Sequence, residues 1–206
     1  MDLLIDNNLI DQCQTWHNSI EPELEIHYSQ HQYINPDWAP NNQLENYITP
    51  TQATSCSSAE INLDDYNQTE FEIVLETLFD DARIQLTEKS LRPIACGQPF
   101  LIMGAPGTLK YLQKYGFKTF EGIIDESYDS INDSKNRMQA VIDTMMTIAK
   151  WTSQERKDNL DKIKKMAIDE VKTIGEVYIM LKRRNFDGFF DRIDDGKELK
   201  NTDRSV

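Results

Sequence analysis

The stretch Pro99-Phe-Leu-Ile-Met-Gly104 does most to limit what this chain can fold into. A short apolar run closed by glycine reads as a strand buried on both faces, which other elements must then cover. Upstream, Phe71-Glu-Ile-Val-Leu-Glu76 reads as another strand, led by β-branched and aromatic residues and flanked by acids. Thr87 to Gly97 predicts a helix between them, with Thr87 as N-cap and Gly97 at C′, where positive φ is wanted. Pro93 inside that helix predicts a kink or a delayed first turn. Ala105-Pro-Gly-Thr108 predicts a tight connection, Thr108–Gly116 a helix with a glycine cap, and Phe117–Phe120 a third, short strand. Strand, helix, strand, helix, strand at this spacing predicts parallel pairing with right-handed crossovers. The expected fold class is therefore α/β, built on a small Rossmann-like, doubly wound parallel sheet.

Three segments follow from this block: an irregular N-terminal arm, or the remnant of a larger domain, over residues 1–68, the Rossmann-like domain over 69–150 and a helical segment over 151–206. The arm is rich in Asn, Gln, Asp, Ser and Thr, and Pro22, Pro36, Pro40 and Pro50 interrupt any long helix. It predicts one short helix over Leu3–Trp16, one strand over Glu23–Tyr28 and no core of its own. Its aromatics Tyr33, Trp38 and Tyr47 are expected to pack onto a neighbour. After the sheet, Asp125-Glu-Ser-Tyr-Asp129 supplies acids suited to a helix start. Met138, Val141, Ile142, Met145 and Ile148 then repeat at helical spacing. A second amphipathic helix runs from about Ser153, with a stripe from Leu160 to Leu181 and fraying beyond Gly188.

Charge and length narrow the function classes. Thirty-five acidic against 22 basic side chains give a formal net charge of −13, which phosphate backbones would repel, so no nucleic-acid partner is expected. No apolar run approaches a membrane span, and the acidic opening Met-Asp-Leu-Leu-Ile-Asp does not read as a signal peptide. Cys13, Cys56 and Cys96 are widely spaced without a CxxC pair, so reduced thiols in a cytoplasmic protein are expected.

Any chemistry is expected in the loops that enter the two central helices. Thr87, Glu88 and Lys89 stand where unpaired N–H groups and the helix dipole favour an anion; a lysine there can hold a phosphate and a glutamate can accept from sugar hydroxyls. The same residues also read as a capping-zone acid beside a solvated lysine. Gly104, Gly107 and Thr108 belong to a loop at the carboxyl end of a strand, where open α/β sheets bind ligands, and equally read as a turn with Pro106 opening a helix. Around Lys89, Arg92 and Lys110 the segment is locally basic. His27 and His31 stand four apart and would share one face of a helix, but their segment, like that of His17, reads as loop or extended chain, and the acidic pairs Asp64-Asp65 and Asp80-Asp81 form no Asp-x-Asp motif after an apolar strand, so no metal is expected. Tyr111 and Tyr115 share a helix face and read as packing residues.

Taken as one string, Thr87-Glu-Lys-Ser-Leu-Arg-Pro-Ile-Ala-Cys-Gly-Gln-Pro-Phe-Leu-Ile-Met-Gly, then Gly107-Thr-Leu-Lys-Tyr-Leu, Gly116-Phe-Lys-Thr-Phe and Asp125-Glu-Ser-Tyr-Asp, resembles a glycosyltransferase-like family of bacteriophages, including cyanophages, and bacteria. It is also similar to the nucleotide-sugar-binding half of fucosyltransferase and exostosin-type enzymes of the GT-B fold. The resemblance runs from Phe71 to Ile148. It implies that Glu88 contacts the nucleotide ribose and Lys89 the diphosphate, with Thr87 and Gly104–Thr108 lining the donor pocket. The implied activity is sugar transfer from a nucleotide-sugar substrate, without a further cofactor, in the cytoplasm (the host's, for a viral chain). A GT-B enzyme has two Rossmann-like domains, and residues 1–68 are too few and too polar for the acceptor domain. The sequence therefore predicts a donor half with a stump: a degenerate or split gene product, or half of an enzyme that another chain completes. Its alternatives are a non-catalytic interaction protein that keeps the fold as a scaffold, associating through its N-terminal arm with a partner or a second copy, and a small nucleotide-binding regulator.

Overall fold

The computed structural model describes residues 1–15, 20–21, 26–27, 30, 40–41, 43–47, 63–80 and 83–166. The chain forms two compact units, Met1–Ser58 and Ala59–Val206. Expectations for Trp16, His17, His31, Tyr33, Trp38, Cys56, Asp81 and everything after Met166 lie outside the described residues.

In the first unit, helix α1 (Asp2–Asp6) gives way to a 3-10 turn over Ile10–Gln12. The break comes from two asparagines. Asn7 donates its side-chain amide to the Leu3 carbonyl at 2.8 Å, and Asn8 takes φ +56, a conformation asparagine tolerates. A single helix over Leu3–Trp16 is thus ruled out. Strands β1 (Ile20–Glu21) and β2 (Ile26–His27) pair antiparallel. Ile5, Ile10 and Leu44 bury together, with Met1, Leu4 and Tyr47 against them. This segment does have a small core, contrary to its polar composition, and Tyr47 packs into it. The amide of Asn41 reaches Asp6 at 2.8 Å and helps close the cluster.

The second unit opens with α2 (Leu63–Gln68) and carries β3 (Glu72–Leu75), α3 (Glu88–Cys96), β4 (Phe100–Met103), α4 (Thr108–Lys114), α5 (Ser134–Ala149) and α6 over 153–166. It is mixed α/β. β3 and β4 pair in parallel, Glu72 opposite Phe100 and Leu75 opposite Met103, with α3 as the crossover. β4 is buried on both faces as its apolar run demands: Phe100, Leu101 and Ile102 are all inside. The core adds Val74, Ile94, Leu109, Leu112, Phe117, Phe120, Tyr128, Val141 and Ile163, with Phe100 and Phe120 edge to face at 5.0 Å.

Local signals in this block work as read, with three corrections. Thr87 accepts from Lys89 N–H at 3.3 Å, and the helix ends in a Schellman motif: Gly97 (φ +66) donates to Ile94 and Gln98 to Pro93. The first correction is Pro93, which does not delay the first turn; α3 starts at Glu88. The second is Phe117–Phe120, which forms no strand. Its groups go elsewhere: Phe120 N–H bonds the Glu126 carboxylate at 2.6 Å, and Thr119 accepts from the Gln113 amide at 2.8 Å. Among the described residues the parallel sheet therefore has two strands. The third is Asp125–Asp129, which does not open α5. Ser127–Ser130 is a 3-10 turn, and Asp133 caps α5 by accepting from Asn136 N–H at 2.8 Å.

Arg92 turns away from the basic cluster expected around Lys89. It binds Glu72 at 2.9 Å at the start of β3, where Glu72 also accepts from Tyr66 at 2.6 Å.

Gly104 is needed for space. A Cβ there would lie 2.9 Å from the Thr108 hydroxyl oxygen, which itself donates to the Ala105 carbonyl at 2.6 Å. Gly104→Ala is expected to destabilise by about 1–3 kcal/mol. The double substitution with Thr108→Ala should lose less than the sum of the two single losses in denaturant unfolding. Fully additive losses would show that the Thr108 hydroxyl is not what excludes a Cβ.

Candidate functional site

The loops after β3 and β4 leave the same, carboxyl edge of the parallel pair, because adjacent parallel strands end side by side. Thr87, Glu88 and Lys89 close the first loop, and Gly104, Gly107 and Thr108 make the second. The loops touch: a Cβ built on Gly107 would stand 3.6 Å from Ile84, three residues before Thr87. The residues read from the sequence as one site thus lie on one edge of the sheet.

Their exposures differ. Gly104 and Thr108 are buried and shape the turn. Gly107 has φ +83 and donates its N–H to the Asp129 carbonyl at 2.7 Å. Glu88 and Lys89 reach solvent, with side chains 25% and 28% exposed. Lys89 Nζ lies 3.2 Å from the Thr77 hydroxyl, just past β3, and 3.8 Å from the Glu88 carboxylate.

Two carboxylates of the chain itself occupy positions that the sequence reading offered to an external anion. Glu76, directly after β3, is buried and meets the entrance of α3. It accepts from Thr87 N–H at 3.0 Å, from the Thr87 hydroxyl at 2.8 Å and from the Ser90 hydroxyl. Asp129 does the same at α4, accepting from Leu109 N–H at 2.9 Å and Lys110 N–H at 3.3 Å. Both obey the preference of helix N-termini for negative charge. The α4 entrance is thereby satisfied internally.

Burial pushes the Asp129 carboxyl above the ordinary range, against the lowering effect of the backbone N–H groups it accepts from. Glu126 is raised for the same reason, while Ser127 N–H holds the exposed Asp125 carboxyl low.

Sequence reasoning missed Glu76 and Arg137. Glu76 reads as an acid flanking a strand. Arg137 is 1% exposed, and its guanidinium donates to four backbone carbonyls: Gly104 at 3.0 Å, Ile131 at 2.7 Å, Asn132 at 3.1 Å, and Phe79. The guanidinium also lies 4.4 Å from the Phe79 ring centre. A signal for Arg137 was present: it stands on the buried stripe of α5, followed by Val141, Thr144 and Ile148.

A cleft of about 180 Å³ lies between Ile123–Ser127, α5 and Trp151, and none of the expected site residues lines it. His27 pairs with Glu45 at 3.6 Å. Tyr111 and Tyr115 pack on each other edge to face at 5.2 Å. Among the described residues no group of three or more His, Cys, Asp or Glu could hold a metal ion, and no helix is long and apolar enough to cross a membrane. No family model, curated protein or solved structure matches the chain.

Asp129 titrates in a direction that can be tested. Its raised folded-state value means that the folded protein holds this proton more tightly than the unfolded chain. Stability from this group is therefore gained as pH falls through that raised value. The melting temperature of the wild type, measured relative to Asp129→Asn, is expected to rise between neutral pH and about pH 4. A falling difference would mean that the amide contacts outweigh burial.

Proposed function

We propose that the Ala59–Val206 unit is a Rossmann-like donor half that binds a nucleotide-activated sugar. The observation that carries this reading is the position of Glu88 and Lys89: partly exposed, side by side, at the carboxyl edge of a parallel pair and beside the Thr77 hydroxyl. Lys89 offers an ammonium to a diphosphate, and Glu88 offers a carboxylate to ribose hydroxyls. In sugar transfer, by displacement at the anomeric carbon, Lys89 would offset the charge growing on the departing diphosphate. The acceptor and its base belong to a partner chain. On this reading the protein works in the cytoplasm, that of a host cell for a viral chain.

A second reading draws on the same edge. Glu76 and Asp129 already complement the entrances of α3 and α4, and Leu75 at the end of β3 is 60% exposed. The internally complemented helix entrances favour a non-catalytic interaction protein that keeps the fold as a scaffold.

Calorimetric titration with UDP-, GDP- and ADP-sugars separates the two. Heat with one donor, weakened by about tenfold or more in Lys89→Ala, is the expected result for loss of a charge-assisted phosphate contact. A folded protein silent toward all three donors, yet self-associating in light scattering, would instead favour the scaffold.

A further inference from the structure

We infer that Arg137 is a positioning residue of the nucleotide-sugar site, clamping the loop after β3 to the loop after β4 so that both face a ligand as one surface. The inference rests on the donor-binding reading above and adds a residue to it. The Phe79 carbonyl and ring belong to the first loop, between Thr77 and Thr87, while the Gly104 carbonyl begins the second. Ile131 and Asn132 fasten both to the start of α5. One planar group therefore bonds three chain segments that are remote in sequence. Lysine cannot do this, because its donors radiate from a single point and cannot reach carbonyls on opposite sides.

The charge points the same way. Burial lowers the Arg137 pKa, and Asp80, Asp129 and Asp133 act against that at longer range. Among the described residues no carboxylate forms an ion pair with it. A buried cation held by carbonyl dipoles is a poor choice for stability alone.

The test compares donor affinity with stability. Wild type, Arg137→Lys, Arg137→Ala and the milder Phe79→Ala are titrated with the three nucleotide-sugars well below their thermal transitions, with circular dichroism confirming the fold. Arg137→Lys is expected to bind its donor about tenfold more weakly at saturating folded fraction, and Phe79→Ala several-fold more weakly. Added guanidinium ion should restore part of the affinity of Arg137→Ala. A role in stability alone would lower the melting temperature and leave the affinity of folded protein unchanged. Wild-type affinity in Arg137→Lys and Phe79→Ala therefore overturns the inference while leaving the donor reading intact. Failure of the folded wild type to bind any donor overturns the donor reading, and the positioning role with it.

Discussion

The guanidinium of Arg137 is the interaction on which the second unit most depends. A two-stranded parallel sheet has little of its own to hold its loops in place, since such sheets ordinarily gain order from several neighbouring strands. Here one side chain donates to carbonyls that leave β3, leave β4 and enter α5. Replacing it with a smaller group would leave the buried Gly104 carbonyl without that donor and release the half-buried carbonyls of Phe79 and Ile131.

Glu76 and Asp129 act as the anionic counterpart. Each carboxylate sits against donors at the start of a helix, so the carboxyl edge of the sheet is a lattice of internal charge and dipole. This arrangement sets what can bind there. Open helix N-termini would hold phosphate through backbone N–H groups. With the α4 entrance occupied by Asp129, the amides at that helix start are already bonded, while the half-buried Lys89 and Glu88 keep part of their side chains in solvent.

Much of the central block was legible because its signals are local. The N-cap at Thr87, the left-handed Gly97 and the apolar run of β4 each need only a few neighbouring residues. The same locality explains the misses. Phe117–Phe120 has the composition of a strand, yet its Phe120 N–H meets the Glu126 carboxylate, which no strand propensity could anticipate. Asp125–Asp129 has the composition of a helix start, and its last acid does serve one, but that helix is α4, twenty residues upstream of the bonding carboxylate. In the N-terminal unit, composition argued against a core, while Ile5, Ile10 and Leu44 are enough to form one once Asn7 and Asn8 fold the chain back.

The sequence by itself determined which residues become β3, α3, β4 and α4, that the two strands run parallel, and that Glu88 and Lys89 stand at a helix entrance, since periodicity and caps act over a turn or two. Only the tertiary structure decided the partners of the charged groups. Arg137 bonds a carbonyl 58 residues away, and Glu76 receives Thr87 from 11 residues downstream. Such pairings follow from which loops the parallel register sets side by side. A buried charge takes the donors or acceptors it finds there, because leaving it without them would cost more than the fold can spare.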